Sequence, residues 1–272
     1  DQKRRITLKE IYDTLCKEAK ELTIFDNYSE GENILNAIQY FHENVYLIFN
    51  DTYNEIDDKV IYWYSKFYIN YLTNRRDIPS FIFQFGVLYD EKYAIKSDQI
   101  KPFKFFELAA KMNNTKAMNA LGSLYLKGER TIQNIAKGME FFILAAQQND
   151  PEAFCNLALI YLNGYGIETN FSKALEYLKL AAAQNYADAF FSLGLIYYDG
   201  EIVDKDIEKA KEFFEKSGTL GNSQAFLLLG EIFEDEDNIS KANEFFELSA
   251  KMNNPDALLS LGFRYLEGKG VN

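Results

Sequence analysis

The sequence predicts an all-α fold: a right-handed α-solenoid of helix–loop–helix repeats with a helical N-terminal cap. Three observations lead there. A pattern Ala-x3-Leu-Gly-x2-Tyr-x2-Gly returns at fixed intervals. It reads AMNALGSLYLKG at 117–128, AFCNLALIYLNG at 153–164, AFFSLGLIYYDG at 189–200, AFLLLGEIFEDE at 225–236 and ALLSLGFRYLEG at 257–268, with a weaker copy, FIFQFGVLYDEK, at 81–92. A second pattern alternates with it, as KALEYLKLAAAQ at 173–184, KAKEFFEKSGTL at 209–220 and KANEFFELSAKM at 241–252. Capping signals separate the two. Fixed periods of this size mark stacked helix pairs, each of which buries its apolar face only against its neighbours.

Numbering each unit from Pro79, Thr115, Pro151, Ala187, Ser223 and Pro255 gives spacings of 36, 36, 36, 36 and 32 residues. The array then covers 79–272 with an incomplete last unit, and 1–78 forms an N-terminal cap or degenerate repeats. Asp150-Pro151 and Asn254-Pro255 place a capping side chain before a proline at the first helical position. Gly128, Gly164, Gly200 and Gly268 stop the first helix, where a left-handed C-cap costs glycine least. In the second helix, positions 24, 27, 28, 31 and 32 share one face at 100° per residue. In the third unit these are Ala174, Tyr177, Leu178, Ala181 and Ala182. Position 8 is small in every copy: Gly86, Gly122, Ala158, Gly194, Gly230 and Gly262. A glycine inside a helix costs about 0.5–1 kcal/mol relative to alanine, so its recurrence points to close helix packing. The aromatic at position 11 (Tyr125, Tyr161, Tyr197, Phe233, Tyr265) is expected to fill the space beside it.

These residues resemble Sel-one-like repeats, relatives of tetratricopeptide repeats. The 36-residue period separates them from the 34-residue tetratricopeptide unit, and the extra length lies in loops such as GYGIETNFS at 164–172 and GEIVDKDIE at 200–208. Departures are local. Lys92 and Glu236 replace the loop glycine, Pro102 and Gly138 replace the second-helix alanine, and the fifth unit lacks four loop residues. One segment, AAKMNNTKAMNALGSLYLKGERTIQNIAKGMEFF at 109–142, is similar to lumenal adaptors of Hrd-type ubiquitin ligases in ER-associated degradation, as is LGFRYLEGKGV at 261–271.

A net charge of −12 argues against a footprint on nucleic-acid phosphates. Cys16 and Cys155 are too few for a disulfide framework and lie on apolar helical patterns, as buried thiols do. No run of 18 apolar residues spans a membrane and no targeting peptide is visible. The sequence reads as a fragment or processed piece. Five glycosylation acceptor patterns, at Asn27, Asn50, Asn113, Asn170 and Asn238, exceed chance. They favour the secretory route or ER lumen, with the cytoplasm as the alternative. Equally, Asn170 and Asn238 could simply cap second helices.

Within 1–78, Leu8, Ile11, Tyr12, Leu15, Cys16, Ala19 and Leu22 form a helical stripe, 36–49 resembles a second helix, and 59–72 carries Trp63 among tyrosine and phenylalanine rings. Such a segment caps the first repeat or offers an aromatic docking surface.

Signals for chemistry are weak. His42 is the only histidine, and with two dispersed cysteines it assembles no zinc set. Gly164-Tyr165-Gly166 and Gly268-Lys269-Gly270 follow helices, not strands, unlike dinucleotide loops. Glu234–Asp237 lack the glycine and terminal glutamate of a calcium loop. No catalytic residue, metal or cofactor is assigned.

On the first helix, positions 3, 7, 10, 11 and 14 point to the core, and 2, 6, 9 and 13 fall opposite. That stripe holds Ala120, Ser123 and Lys127; Asn156, Leu159 and Asn163; Ser192, Leu195 and Asp199; and Leu228, Glu231 and Asp235. Ser123, Asn156, Asn163, Ser192, Asp199, Glu231 and Asp235 are the candidate partner-binding residues. Their acidic end suits a basic extended or helical peptide. The last helix, 255–268, has no following partner, so Leu258, Leu261 and Tyr265 should lose part of their cover; further repeats or self-association through this edge are expected. The chain therefore reads as a non-catalytic protein–protein scaffold or adaptor. The resemblance implies a lumenal adaptor that recruits clients to a ubiquitin ligase. The alternatives are a cytosolic or bacterial signalling scaffold and a structural subunit of a large assembly.

Overall fold

The computed structural model describes residues 79–80, 83–84, 87, 100–129 and 131–268, all helix, turn or loop. The chain divides between Gln133 and Asn134 into two compact units. The expectations for 1–78, including Cys16, His42, Asn27 and Asn50, lie outside the described residues.

The first unit contains α1 (Ile100–Lys111) and α2 (Thr115–Lys127). Phe105, Phe106, Leu108 and Ala109 of α1 are buried, and Tyr125 of α2 meets Phe103 edge-on at 5.3 Å. Asn114 joins this unit together. Its Oδ1 accepts from the Ala117 amide at 2.8 Å to cap α2, and its Nδ2 donates to Ser80 Oγ at 3.2 Å.

The second unit contains α3 (Ile135–Gln147), α4 (Pro151–Asn163), α5 (Phe171–Ala182), α6 (Ala187–Asp199), α7 (Ile207–Thr219), α8 (Ser223–Asp235), α9 (Ile239–Lys251) and α10 (Pro255–Glu267). Each first helix (α4, α6, α8) packs most extensively against the second helix that follows it (α5, α7, α9). There is no single core. One apolar cluster joins α4, α5 and α6 through Phe154, Leu178 and Leu193; the next joins α7 and α8 through Phe214 and Leu229; a third joins α8, α9 and α10 through Leu227, Phe246 and Leu261. Such a chain of clusters is the energetic signature of a repeat array, in which each unit is stabilised by its neighbours.

Local chemistry sets most of the boundaries in this unit. Asn134, Asn170, Asp206 and Asn238 each accept from the amide three residues on, at 3.0–3.2 Å, and so start α3, α5, α7 and α9. Asp150, Asn222 and Asn254 do the same for α4, α8 and α10. Tyr186 has no such cap to give α6. The first helices stop where the sequence placed glycine. At Gly200, φ is 73° and a Cβ would stand 2.6 Å from Lys205 Cβ, so both backbone and space require glycine. Glu236 departs from the pattern with φ −86°, and the left-handed residue moves one place on to Asp237 at φ 57°. Second helices end differently. Asn113, Asn149, Asn185 and Asn253 are left-handed at φ 57–63°, and Gly221 takes the same place in the fourth repeat. Asparagine tolerates this region better than other residues with a Cβ.

Two packing expectations need correction. The space beside the position-8 glycine is filled from the second helix, not by the position-11 aromatic. A Cβ on Gly194 would lie 2.5 Å from Phe214, and one on Gly230 would lie 2.7 Å from Phe246. The position-11 rings build something else. Phe154, Tyr177 and Tyr161 form a run of three stacked rings, with centroids 6.1 and 5.9 Å apart. Phe190, Phe213 and Tyr197 form a similar run, tilted at 6.3 Å and stacked at 5.6 Å, and Phe226, Phe245 and Phe233 stack at 5.9 and 5.4 Å. Lys173, Lys209 and Lys241 each set Nζ over the last ring, at 5.2, 4.2 and 4.8 Å. The second correction concerns Leu261. It was expected to lose cover, yet it is only 9% exposed, because α9 packs over it. Leu258 and Tyr265 are exposed as expected, at 53% and 55%.

Candidate functional site

The first helices carry the candidate partner-binding stripe. Ser123 lies half-buried on α2 in the first unit. In the second unit, Asn156 and Ser192 are half-buried and Asn163, Asp199, Glu231 and Asp235 are exposed. Successive first helices share apolar clusters with the second helix between them: Phe154 and Cys155 of α4 with Ala189 and Leu193 of α6, and Leu227 of α8 with Ala257 of α10. The stripe is less uniform than helical periodicity implied. Leu195 and Leu228 lean into the α7–α8 cluster, while Leu159 stands 45% exposed. The reason is that the core face is wider than a narrow stripe, since positions 4, 5 and 8 are buried as well as 3, 7 and 10. Asn163 turns back on its own helix, donating Nδ2 to the Leu159 carbonyl at 3.0 Å.

The α8 end is electrostatically the most distinct. Partial burial, together with the carboxylates of Asp235, Glu234 and Asp256, holds the Glu231 carboxyl above its ordinary range. Beside it lies an interaction that periodicity could not show. Arg264 of α10 occupies position 10, where Ile160, Ile196 and Ile232 stand in earlier repeats, and it is only 4% exposed. Its Nη1 donates to Asn243 Oδ1 at 2.9 Å, Nη2 pairs with Glu234 Oε2 at 2.6 Å, and the guanidinium lies 4.6 Å from the Phe246 ring centroid. The signal was the lone basic residue at an otherwise apolar position. Lys211 makes a second tie between repeats, with Nζ 2.8 Å from Glu208 and 2.6 Å from Glu236.

The titratable groups in the core are set against reactivity. Burial, with Asp188 and Glu152 adding to it, pushes the Cys155 thiol up to about 12, so it is protonated at neutral pH. Burial and the same acidic neighbours also raise Tyr186. Among the described residues no group of three His, Cys, Asp or Glu side chains is placed to hold a metal, and no helix is long and apolar enough to cross a membrane. Of the acceptor asparagines, Asn170 and Asn238 cap α5 and α9 through their side chains. Asn113 is exposed just beyond α1.

Comparison with known proteins comes to one repeat family. The family model described as Sel1 repeat matches residues 85–114, 115–150, 151–186, 187–222, 226–254 and 255–272, more than half of the chain. A solved Sel1 repeat protein from Oxalobacter formigenes superposes with a TM-score of 0.62 at 24% identity, covering 89% of this chain and 91% of its own. A protective antigen, c5321, from uropathogenic Escherichia coli strains, which displays the same repeat fold, superposes with a TM-score of 0.56 at 20% identity; it covers 98% of this chain and 60% of its own. At these identities the likeness is one of fold. No curated protein matches the chain.

Proposed function

The chain belongs to the Sel1 repeat family, whose members generally mediate protein–protein interaction, and from that premise we propose that it is a non-catalytic scaffold that holds a basic peptide segment along its first helices. The observation that carries this reading is the α6–α8 surface. Asp199, Glu231 and Asp235 are exposed there, and the Glu231 carboxyl is raised first by partial burial and then by the carboxylates of Asp235, Glu234 and Asp256. A cationic side chain placed among those carboxylates would relieve their mutual repulsion, which gives both steering and register. Ser192 and Asn156 extend the same stripe with neutral hydrogen-bonding groups suited to a peptide backbone. The capped and ring-stacked helix pairs behind it keep the surface from rearranging, which lowers the ordering cost of binding.

A displayed peptide library selected against the full chain tests this. Selected peptides should be enriched in Lys and Arg. Their affinity should fall by about tenfold or more, or about 1.4 kcal/mol, in the triple variant Asn156→Ala, Ser192→Ala, Glu231→Ala. Full retention of affinity in the triple variant removes the groove. A narrower reading, a lumenal adaptor that presents misfolded glycoproteins to a ubiquitin ligase, draws on the exposed Asn113 acceptor. Glycan mapping of protein from its own cell decides it: an unmodified Asn113 leaves the general scaffold alone.

A further inference from the structure

One junction between repeats is built unlike those before it. Position 12 of a first helix and position 10 of the next share an apolar cluster, as Leu162 and Ile196 between α4 and α6, and Tyr198 and Ile232 between α6 and α8. Between α8 and α10 the same two positions hold Glu234 and Arg264, paired at 2.6 Å. The guanidinium is buried, held by Asn243 Oδ1 at 2.9 Å and by the Phe246 ring at 4.6 Å, while the Glu234 side chain is 42% exposed. Pairing a buried arginine offsets the cost of desolvating it and adds little stability beyond what an apolar pair gives. The consequence of the exchange lies in charge. The helices α4, α6, α8 and α10 carry one, two, three and two carboxylates, and Arg264 is the only basic residue on any of them. On α7 and α9, by contrast, lysines and glutamates are equal in number. Glu234 stands one helical turn from Glu231 and beside Asp235, both assigned to the candidate groove.

Resting on the basic-peptide reading above, we propose that Arg264 is a specificity-determining residue of that groove, acting through Glu234: it pairs with this carboxylate from within the fold and leaves Glu231 and Asp235 as the open carboxylates of α8. A cation that arrives at Glu234 meets a carboxylate whose charge a guanidinium already offsets at contact distance. The attraction of such a close pair for a third charge falls off faster with distance than that of a lone carboxylate. Asn243 and Phe246 hold the arginine in place, so it does not yield the carboxylate to a weaker competitor. Arg264 therefore lowers the affinity for basic ligands and limits how many cations the α8 end takes, without touching the ligand itself.

A fluorescein-labelled penta-lysine peptide, titrated with the full chain at low and high salt and followed by anisotropy, tests the proposal. The double variant Asn243→Leu, Arg264→Ile restores apolar residues like those of the earlier junctions and frees Glu234. It should bind the peptide about two- to fivefold more tightly than the parent at low salt, and lose affinity more steeply as salt rises. Adding Glu234→Gln should return both affinity and salt dependence to those of the parent. Arg264→Gln, which removes the charge and keeps an amide donor for Asn243, should show the same gain and serves if the double variant folds poorly. A role in stability alone gives no gain that Glu234→Gln reverses. Unchanged or weaker binding by the folded variants, or a gain that survives Glu234→Gln, overturns the proposal and leaves the groove standing. A parent chain that shows no saturable binding of penta-lysine removes the groove and this proposal together.

Discussion

The ring of Phe214 fills the space that a side chain on Gly194 would need: a Cβ there would stand 2.5 Å from Cε1 and 2.6 Å from Cδ1. Gly230 and Phe246 repeat the relationship. In the third repeat the pair becomes Ala158 and Leu178, buried in one cluster, a larger residue on one helix meeting a smaller one on the other. Size is conserved across the helix pair, not at either position.

Gly194→Leu should therefore destabilise the chain by about 1–3 kcal/mol through overpacking. Phe214→Ala, which empties the same space, should cost about 3–5 kcal/mol. Urea unfolding measures both. An unchanged midpoint for Gly194→Leu would mean the ring is free to leave.

The buried Arg264 is stabilised by its partners rather than by its setting. Asn243→Leu should destabilise by about 1–3 kcal/mol, because it leaves the guanidinium short of an acceptor. The double variant Asn243→Leu, Arg264→Ile copies Leu175 and Ile196, the equivalent pair two repeats earlier, which pack in one apolar cluster. It should regain most of the loss, since replacing both partners of a buried hydrogen bond by apolar groups is often nearly neutral, and Glu234 is exposed enough to be solvated. Additive losses in urea unfolding would contradict this.

Glu231 predicts a pH dependence of stability. Its folded value is raised, so the folded chain holds that proton more tightly than the unfolded chain does. Stability from this group is then lost as pH rises from the ordinary carboxylate value through the raised one. Glu231→Gln should make the chain more stable than the parent at neutral pH. The difference should close below about pH 4, where the parent carboxyl is also neutral. Paired unfolding curves at the two pH values check the sign.

Cys155 should be silent to thiol reagents in the folded chain. Burial holds it protonated, up to about 12, and shields it from approach. Labelling with a disulfide reagent should follow global unfolding in urea, with no fast phase in native buffer. A fast native phase would show that the α4–α6 cluster opens locally.

Much of the architecture was legible because its determinants recur in phase. Asparagine and aspartate caps, C-cap glycines and the Leu178-type face lie at fixed spacing, and each maps to one local physical role. What periodicity could not show was which helix supplies a group. Position 8 and position 11 are neighbours on one helix, so the space at Gly194 was assigned to Tyr197; the ring that fills it comes from Phe214, twenty residues on. The asparagines that end the second helices were missed although they recur, because glycine was taken as the only left-handed residue. The role of Gly218 was not legible either: a Cβ there would stand 2.5 Å from the Phe226 ring of the next repeat. Helical spacing marks positions 2, 6, 9 and 13 as one stripe of small, polar and apolar residues. It does not show their uneven burial, because the inward lean of Leu195 and Leu228 depends on the neighbouring repeat.

The claim that size-matched pairs hold the repeats together is tested most directly by a double-mutant cycle of Gly194→Ala and Phe214→Leu, which converts the fourth repeat to the Ala158–Leu178 arrangement. Each single change should destabilise the chain, and the double variant should be more stable than the sum of the two by about 1 kcal/mol or more in urea unfolding. Strict additivity would mean that the two residues do not share one space, and the packing account would fail.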